Sequence, residues 1–202
     1  MTYLKIMLAV MGKMPEPLNI KDPLPALGGV RLSFWKPSDL AVIEKACADP
    51  DIAAFTSMPA PNTVACRNWL SVQEDHRLQN RALHFALRDK TENVLGNVGL
   101  ISFEWQHRRA EIGYWVLPRA RGKGVASKGL NLLSAWTFNS LPITRIDLFT
   151  SLDNAGSRAV AERVGYKYEA KLDQFRIYDG QQCDLILHRL LKEEYEAAGN
   201  VI

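Results

Sequence analysis

Residues 119–126 read RARGKGVA and lie between a predicted strand and a predicted helix. Gly122 and Gly124 let the backbone adopt positive φ angles and approach an anion closely. The first N–H groups of a helix have no internal partner, and that end of the helix carries a partial positive charge. Three basic side chains add charge around the same point: Arg119, Arg121 and Lys123. The segment therefore predicts a binding site for a pyrophosphate group.

Other phosphate-binding patterns do not fit this segment. The P-loop pattern Gly-x-x-x-x-Gly-Lys-Ser/Thr does not occur, and the Rossmann pattern Gly-x-Gly-x-x-Gly would have Ser127 at its third glycine. The alternative is a solvated basic turn whose glycines serve only the tight geometry of the backbone. The elements on either side of the turn decide between the two interpretations.

The glycine turn lies inside a predicted strand–helix–strand unit. A strand is predicted over 110–117, a helix over 124–140 and a second strand over 143–150. In such a unit a ligand binds at the carboxyl end of the first strand, where the turn lies. The other predicted elements are strands at 30–35, 83–87, 94–103, 166–177 and 183–190, with bulges at Gly96 and Gly99, and helices at 37–48, 62–79 and 154–164. The order β-α-α-β-β-β-α-β-α-β-β predicts a mixed α/β sheet.

Length and composition indicate an ordinary globular protein. The 202 residues fit one domain, and the hydrophobic share of 47% and the charged share of 23% are typical of that class. A formal net charge of +3 is too small to indicate nucleic acid or a membrane surface as a partner. Prolines and glycines concentrate before residue 30. We therefore predict an N-terminal arm over 1–29 and a compact domain over 30–202.

Cysteine usage and hydropathy indicate the compartment. Cys47, Cys66 and Cys183 form no Cys-x-x-Cys pair and have no histidine ligand pattern beside them, so we expect free thiols and no metal site. No apolar run approaches the roughly 20 residues that span a bilayer. Lys5 precedes a short apolar run, but Lys13 follows it at once and no Ala-x-Ala cleavage pattern appears. We therefore expect a cytoplasmic protein.

The motifs together resemble a known family. Arg119-x-x-Gly122-x-Gly124, after a strand and at the start of a helix, is similar to the acetyl-CoA-binding motif of the GNAT N-acetyltransferase superfamily, Gln/Arg-x-x-Gly-x-Gly/Ala. Three segments resemble its RimJ/RimL-type branch, which acetylates ribosomal-protein N-termini and, in its relatives, other amines: EIGYW at 111–115, NAGSRAVAERVGY at 154–166 and YDGQQCD at 178–184. The resemblance runs from Val30 to Leu190 and is more specific in the second half.

The resemblance implies a fold and a cofactor. The fold is the α/β GNAT acyl-CoA N-acyltransferase fold, a mixed, mostly antiparallel sheet of six to seven strands that splays at the centre, with helices on both faces. The cofactor is acetyl-CoA as the acyl donor, with its pyrophosphate on the turn and its pantetheine arm along a strand edge. The implied cofactor-binding residues are Trp115, Val116, Leu117, Arg119, Arg121, Gly122, Lys123, Gly124, Val125, Ala126, Asn154 and Ser157.

Acetyl transfer to an amine needs a neutral nucleophile and a proton for the leaving thiolate. The resemblance implies Glu111 as the base, directly or through water; the alternative is a surface glutamate paired with Arg108 or Arg109. Many relatives use a tyrosine as the acid at the position held here by Ala161, so this sequence departs from that pattern. The RimJ/RimL-type branch implies Ser157 instead.

Ser157 and Asn154 also have simpler interpretations. A serine in the first turn of a helix often bonds the backbone, and Asn154 is placed to cap the same helix. Capping and contact with the pantetheine arm are compatible for Asn154.

The resulting hypothesis is an N-acetyltransferase. It transfers acetyl to a primary amine, either a peptide or protein N-terminal α-amine or a small-molecule amine, by direct attack in a ternary complex. The cysteines have no motif-supported base that would favour a covalent route. The alternative is a non-catalytic acyl-CoA-binding or partner-binding module on the same fold. We expect a monomer or homodimer that requires neither nucleic acid nor a membrane; the sequence does not specify the acceptor.

Overall fold

A computed structural model describes residue 20 and residues 24–178 and 180–199. Within them the chain forms one eight-stranded sheet: β1 (Ala26–Leu27), β2 (Val30–Phe34), β3 (Leu83–Arg88), β4 (Val94–Glu104), β5 (Arg109–Val116), β6 (Arg145–Ser151), β7 (Lys167–Tyr178) and β8 (Gln181–Leu191). The strand order is β1-β2-β3-β4-β5-β6-β8-β7. β5 and β6 run parallel, and the other neighbouring pairs are antiparallel. The predicted mixed, mostly antiparallel sheet is confirmed, but it has eight strands instead of six to seven, because Ala26–Leu27 adds a short strand at its edge.

Helices cover both faces of the sheet: α1 (Leu40–Cys47), α2 (Pro50–Phe55), α3 (Thr63–Leu78), α4 (Val125–Ser140), α5 (Ala155–Val164) and α6 (Lys192–Ala197). Strand β5 illustrates the division, because side chains alternate between the faces of a strand. Ile112 belongs to the core cluster that contains Leu130 of α4, whereas Trp115 packs with Ala46 of α1 and Ile52 of α2. None of the helices in the described residues is both long and apolar enough to cross a membrane.

Helix α2 was not predicted from the sequence. The helix predicted over 37–48 was expected to end before Asp49-Pro50, and α1 does end at Cys47. The same two residues also begin α2, because the Asp49 side chain accepts a hydrogen bond from the Ile52 amide at 2.9 Å and Pro50 occupies the first helical position. A proline there gives up only an N–H that would have no helical partner.

The last residues of the predicted arm join the sheet. Ala26 and Leu27 of β1 pair with Arg31 and Val30 of β2, and Leu24 is buried in the main core. The sheet thus begins before residue 30. Most of the arm lies outside the described residues, and the division into 1–29 and 30–202 remains a prediction.

The bulges of β4 lie beside the glycines that were expected to form them. Gly96 and Gly99 pair in regular register, whereas the register shifts at Leu95 and at Ile101. A Cβ atom at Gly96 would lie 2.3 Å from the carbonyl oxygen of Trp115. The glycine therefore serves the close approach of β5, and the predicted bulge lies beside it, at Leu95.

The parallel strands β5 and β6 separate halfway along their length. Their pairing runs from Arg109 and Arg145 to Ile112 and Leu148 and stops there. Beyond that point β5 continues to pair with β4 and β6 with β8. The sheet therefore opens into a V between residues 113–116 and 149–151, which we call the splay. It confirms the central opening implied by the family resemblance.

A buried ion pair fastens the segment that connects β2 to α1 onto strand β3. Arg88 donates to Asp39, to the Ser33 hydroxyl at 2.6 Å and to a backbone carbonyl, and the two charged side chains are 4% and 8% exposed. Loss of the carboxylate would leave a buried guanidinium without compensation. We expect Asp39→Ala to lower the free energy of unfolding, measured by urea denaturation, by about 3–5 kcal/mol.

The exposed pair of Arg31 with Glu92 provides the control. Glu92→Ala removes a solvated carboxylate, so its loss of stability should be much smaller than that of Asp39→Ala. Equal losses in the two variants would contradict the structural role of the buried pair.

Candidate active site

The glycine turn presents backbone amides for which the described part of the chain supplies no side-chain cap. Gly122 and Gly124 have φ angles of 70° and 71°, in the left-handed region. Gly124 is the N-cap of α4, and no side chain caps the helix, which begins at Val125. A Cβ atom built on either glycine would meet no atom within 4 Å. The turn is therefore open, and the N–H groups of the first turn of α4 have no intrahelical partner.

The three basic side chains of the turn differ in their surroundings. Arg121 donates to Asp49 and Asp51, each at 2.6 Å. Burial raises the pKa of Asp49, but the hydrogen bonds from Arg121 and from backbone amides outweigh it and hold the pKa below its ordinary value. Arg119 donates to a backbone carbonyl of β4 at 2.7 Å. Arg119 and Arg121 thus fasten the turn to β4 and α2, whereas Lys123 is exposed.

The edge of β5 that faces the splay is available to a ligand. The side chains of Trp115, Val116 and Leu117 are buried, and the Leu117 amide donates to the Leu95 carbonyl at 2.9 Å, on the side of β4. The opposite backbone edge of 113–116 has no neighbouring strand in the described part of the chain, and on it the Val116 carbonyl accepts a hydrogen bond from Arg121 Nε at 3.2 Å. Trp115 also has a buried indole Nε1 with no hydrogen-bond partner among the described residues. The unpaired backbone groups on this edge of β5 can be satisfied by an amide-bearing ligand.

Glu111 lies at the vertex of the splay and is held by an arginine from β7. Its two carboxylate oxygens accept from Arg176 at 2.7 and 2.6 Å. Burial lowers the pKa of Arg176, but the hydrogen bonds and the charge of Glu111 outweigh that effect and raise it above its ordinary value. The alternative partners from the sequence, Arg108 and Arg109, bond elsewhere, to the carbonyl of Pro142 and to acidic side chains.

A bulge in β7 brings Arg176 to this position. Residues 173–175 stand opposite a single residue of β8, Asp184, whose carboxylate accepts from the Gln174 amide at 2.9 Å. Gln174 has a φ of 48°, so the strand turns sharply there. The Arg176 guanidinium then lies 4.6 Å from the ring centre of Phe149 and 5.7 Å from that of Phe175. Cation–π contacts of this length add to the ion pair.

Ser157 pairs with a tyrosine that the sequence analysis did not select. Asn154 caps α5, as predicted, by accepting from the Ser157 amide at 2.9 Å. The Ser157 hydroxyl lies 2.9 Å from the Tyr114 hydroxyl, and no hydrogen bond from it to the backbone is found among the described residues. Burial raises the pKa of Tyr114, and the hydrogen bond with Ser157 offsets part of that rise. Ala161, one turn further along α5, is fully buried.

The candidate groups lie on opposite faces of the sheet. Glu111 and Trp115 share the face covered by α1 and α2, while Ile112 and Tyr114 face α4 and α5. The splay is the gap that connects the two faces of the sheet. A nucleophile can therefore approach from the face of Glu111 while a leaving group is met from the face of Ser157.

Among the described residues, no group of three or more His, Cys, Asp or Glu is placed to hold a metal ion. Cys47, Cys66 and Cys183 are free thiols, and none of them was assigned a role by the sequence.

A substitution in the turn tests whether its backbone amides bind the diphosphate of CoA. Gly124→Ala places a side chain on a residue with a φ of 71° and pushes the backbone away from the conformation that aims the amides. We expect this variant to bind CoA about tenfold more weakly in calorimetry, because several amide contacts are lost together. Gly165→Ala is the matched control, since Gly165 has a φ of 94°, equally open surroundings and a place at the far end of α5. Equal losses of CoA affinity would contradict the assignment of the turn.

Comparisons with known proteins agree with this geometry. The family described as "Acetyltransferase (GNAT) domain" matches residues 30–167. YdaF of Bacillus subtilis (strain 168), which carries the name of a ribosomal N-acetyltransferase, is 33% identical over 104 residues, 52% of this chain and 57% of YdaF. The spermidine N(1)-acetyltransferase of Vibrio cholerae is 27% identical over 131 residues, 62% of this chain and 76% of that protein.

The fold is shared with solved structures as well. RimL, a ribosomal L7/L12 alpha-N-protein acetyltransferase in complex with coenzyme A, superposes with a TM-score of 0.75 at 18% identity, over 83% of this chain and 97% of RimL. The match with YdaF, in contrast, spans little more than half of that protein's length. The family match covers most of the domain, including the glycine turn and the capped helix α5. The chain therefore belongs to the acetyltransferase (GNAT) family, as its motifs predicted.

Proposed function

We propose that the chain is an acetyl-CoA-dependent N-acetyltransferase that transfers the acetyl group to a primary amine by direct attack in a ternary complex. One observation carries this proposal: an open turn with uncapped amides lies at the end of the strand whose free edge forms one side of the splay. A diphosphate and an amide-bearing arm of the same molecule thus have adjoining sites. Acetyl-CoA has both groups.

Different residues of the chain bind the diphosphate, bind the pantetheine arm and meet the leaving thiolate. The backbone of 122–126 binds the diphosphate, Lys123 adds charge beside it, and the free edge of Trp115 and Val116 pairs with the pantetheine amides. Arg119 and Arg121 hold the turn in place through their contacts with β4 and α2. Asn154 fixes the start of α5, and Ser157 faces the leaving thiolate.

Glu111 is the proposed base, and its ion pair with Arg176 limits which of its lone pairs can accept a proton. An ionised carboxylate has about four lone-pair sites, and Arg176 occupies one on each oxygen. The remaining sites accept a proton from the amine or from a bridging water. The ion pair also fixes the orientation of the carboxylate at the vertex of the splay, where the amine approaches.

The acceptor that fits this charge arrangement is an α-amine. A polyamine carries several ammonium groups and calls for unpaired carboxylates, but Glu111 is already matched by Arg176, and Asp49 and Asp51 by Arg121. An α-amine has a pKa of about 7.7–8.0, so an appreciable fraction is neutral at pH 7. We therefore propose a peptide or protein N-terminus, the acceptor class named for RimL, ahead of a polyamine, the class named for the Vibrio cholerae relative.

Acceptor choice is testable by direct competition. At a pH of about 7 we expect kcat/KM for a short peptide with a free N-terminus to exceed that for spermidine by about tenfold, because of the neutral fraction and of repulsion from Arg176. Arg176→Gln should narrow this ratio by removing the positive charge. Faster acetylation of spermidine than of every peptide in a mass-spectrometric acceptor screen would contradict the order of preference.

The role of Glu111 is tested by removing its charge alone. We expect Glu111→Gln to slow turnover by about tenfold or more while the affinity for acetyl-CoA is retained, because the amine then loses its proton acceptor. Glu104→Gln is the control, since Glu104 pairs with Arg109 at the other end of β5. A near-normal rate for Glu111→Gln between about pH 6 and pH 9 would remove Glu111 from the mechanism.

The overall assignment is tested by thiol release with acetyl-CoA and a panel of amines. Amine-dependent release of CoA supports an enzyme, whereas binding without release favours a non-catalytic acyl-CoA-binding module on the same fold. We also propose that the protein acts in the cytoplasm as a monomer or homodimer and needs no nucleic acid.

A further inference from the structure

Two hydroxyl groups meet beside the splay. Tyr114 projects from the part of β5 that lies beyond its last pair with β6, at Ile112. Its hydroxyl oxygen lies 2.9 Å from that of Ser157 on α5. Ser157 itself is held by the cap of α5, because its amide donates to Asn154. The pair thus joins a free strand edge to the start of a helix.

The environment of Tyr114 favours a fixed, protonated phenol. Its ring packs against the main core, and the only hydrogen-bond partner found for its hydroxyl among the described residues is Ser157. Burial raises the pKa of Tyr114 above its ordinary value of about 10, so the phenol keeps its proton at neutral pH. It can therefore donate to the Ser157 oxygen and leave the serine proton free for another acceptor.

We infer that Tyr114 is a positioning residue for acetyl transfer, which donates to the Ser157 oxygen and so directs the Ser157 proton at the departing sulfur. This inference rests on the proposed function, in which the thioester lies in the splay. A hydroxyl that accepts a hydrogen bond becomes a better donor, so the pair stabilises a developing negative charge more than Ser157 alone.

The chemical step balances without a charged serine or tyrosine. The amine nitrogen forms a bond to the thioester carbonyl carbon, the carbon–sulfur bond breaks, and its electron pair remains on sulfur. The Ser157 hydroxyl donates a hydrogen bond to that thiolate. The amine gives its proton to Glu111 or to water, and the released thiolate takes one from solvent, as expected for a thiol with a pKa of about 8.5.

A second tyrosine–serine pair in the protein provides a matched control. The Tyr166 hydroxyl lies 2.7 Å from that of Ser134, and both residues are buried in the core and belong to neither of the segments, 113–116 and 149–151, that border the splay. Tyr166→Phe therefore removes the same atom from the same kind of pair. It should lower the thermal unfolding temperature without changing kcat at a temperature where the protein is folded.

The first test is a double-mutant cycle with acetyl-CoA and a saturating concentration of a short peptide that has a free N-terminus. We expect Tyr114→Phe to lower kcat about tenfold, with KM for acetyl-CoA within about twofold of the parent value. Because Tyr114 acts through Ser157, the double variant with Ser157→Ala should be no slower than Ser157→Ala alone. A Tyr114→Phe rate equal to that of the parent, or a double variant as slow as the product of the two single effects, would overturn the inference.

A second test needs no acceptor amine. Ultraviolet titration of bound CoA gives the pKa of its thiol, which the hydroxyl pair should lower by stabilising the thiolate. We expect that pKa to rise by about one unit in Tyr114→Phe, equivalent to the tenfold effect on rate, and to stay unchanged in Tyr166→Phe. An unchanged thiol pKa in Tyr114→Phe would count against the pair even if no acceptor is found.

The proposed function and the positioning role of Tyr114 are refuted by different results. Absence of acetyl transfer with every amine tested would refute the proposed function, whereas the thiol titration would still decide whether Tyr114 and Ser157 face the sulfur. Normal transfer by both Tyr114→Phe and Ser157→Ala would leave the enzyme assignment intact and refute the positioning role.

Discussion

The separation of β5 from β6 is the constraint on which the rest of the site depends. Two parallel strands that stop pairing leave backbone groups without partners, and such groups must be satisfied by water or by a ligand. The same opening connects the two faces of the sheet, which a fully paired sheet would keep apart. Because α4 follows β5 after one short turn, its uncapped amides lie at the mouth of this opening. The proposed sites for the donor and the acceptor thus both depend on one change in strand pairing.

Charge around the site is almost fully compensated within the protein. Glu111 is matched by Arg176, and the aspartates at the start of α2 are matched by Arg121. Apart from the exposed Lys123 and the remaining lone pairs of Glu111, such pairing leaves backbone dipoles and hydroxyl groups as the polar contacts offered to ligands. Groups of this kind are oriented by the fold, so they need little rearrangement when charge develops during a reaction.

The sequence predicted what is local and missed what depends on distant pairing. The glycine turn, the cap at Asn154 and the alternation along β5 are readable because each pattern lies within a few residues. In contrast, Glu111 and Arg176 are 65 positions apart, and Tyr114 and Ser157 are 43 apart. Their meeting depends on a bulge in β7 and on the register of α5 against the sheet, which no periodicity specifies. Helix α2 was missed because Pro50 both follows α1 and begins α2.

The ion pairs of Arg121 link the glycine turn mechanically to α2. Its guanidinium joins the loop after β5 to the start of α2, a helix that covers the opposite face of the sheet. Movement of α2 is therefore transmitted to the amides that receive the diphosphate, and an occupied turn in return holds α2 still. Two ligands that bound the turn and α2 would by reciprocity alter each other's affinity by the same factor. A single side chain thus couples the glycine turn to a helix on the far face of the sheet.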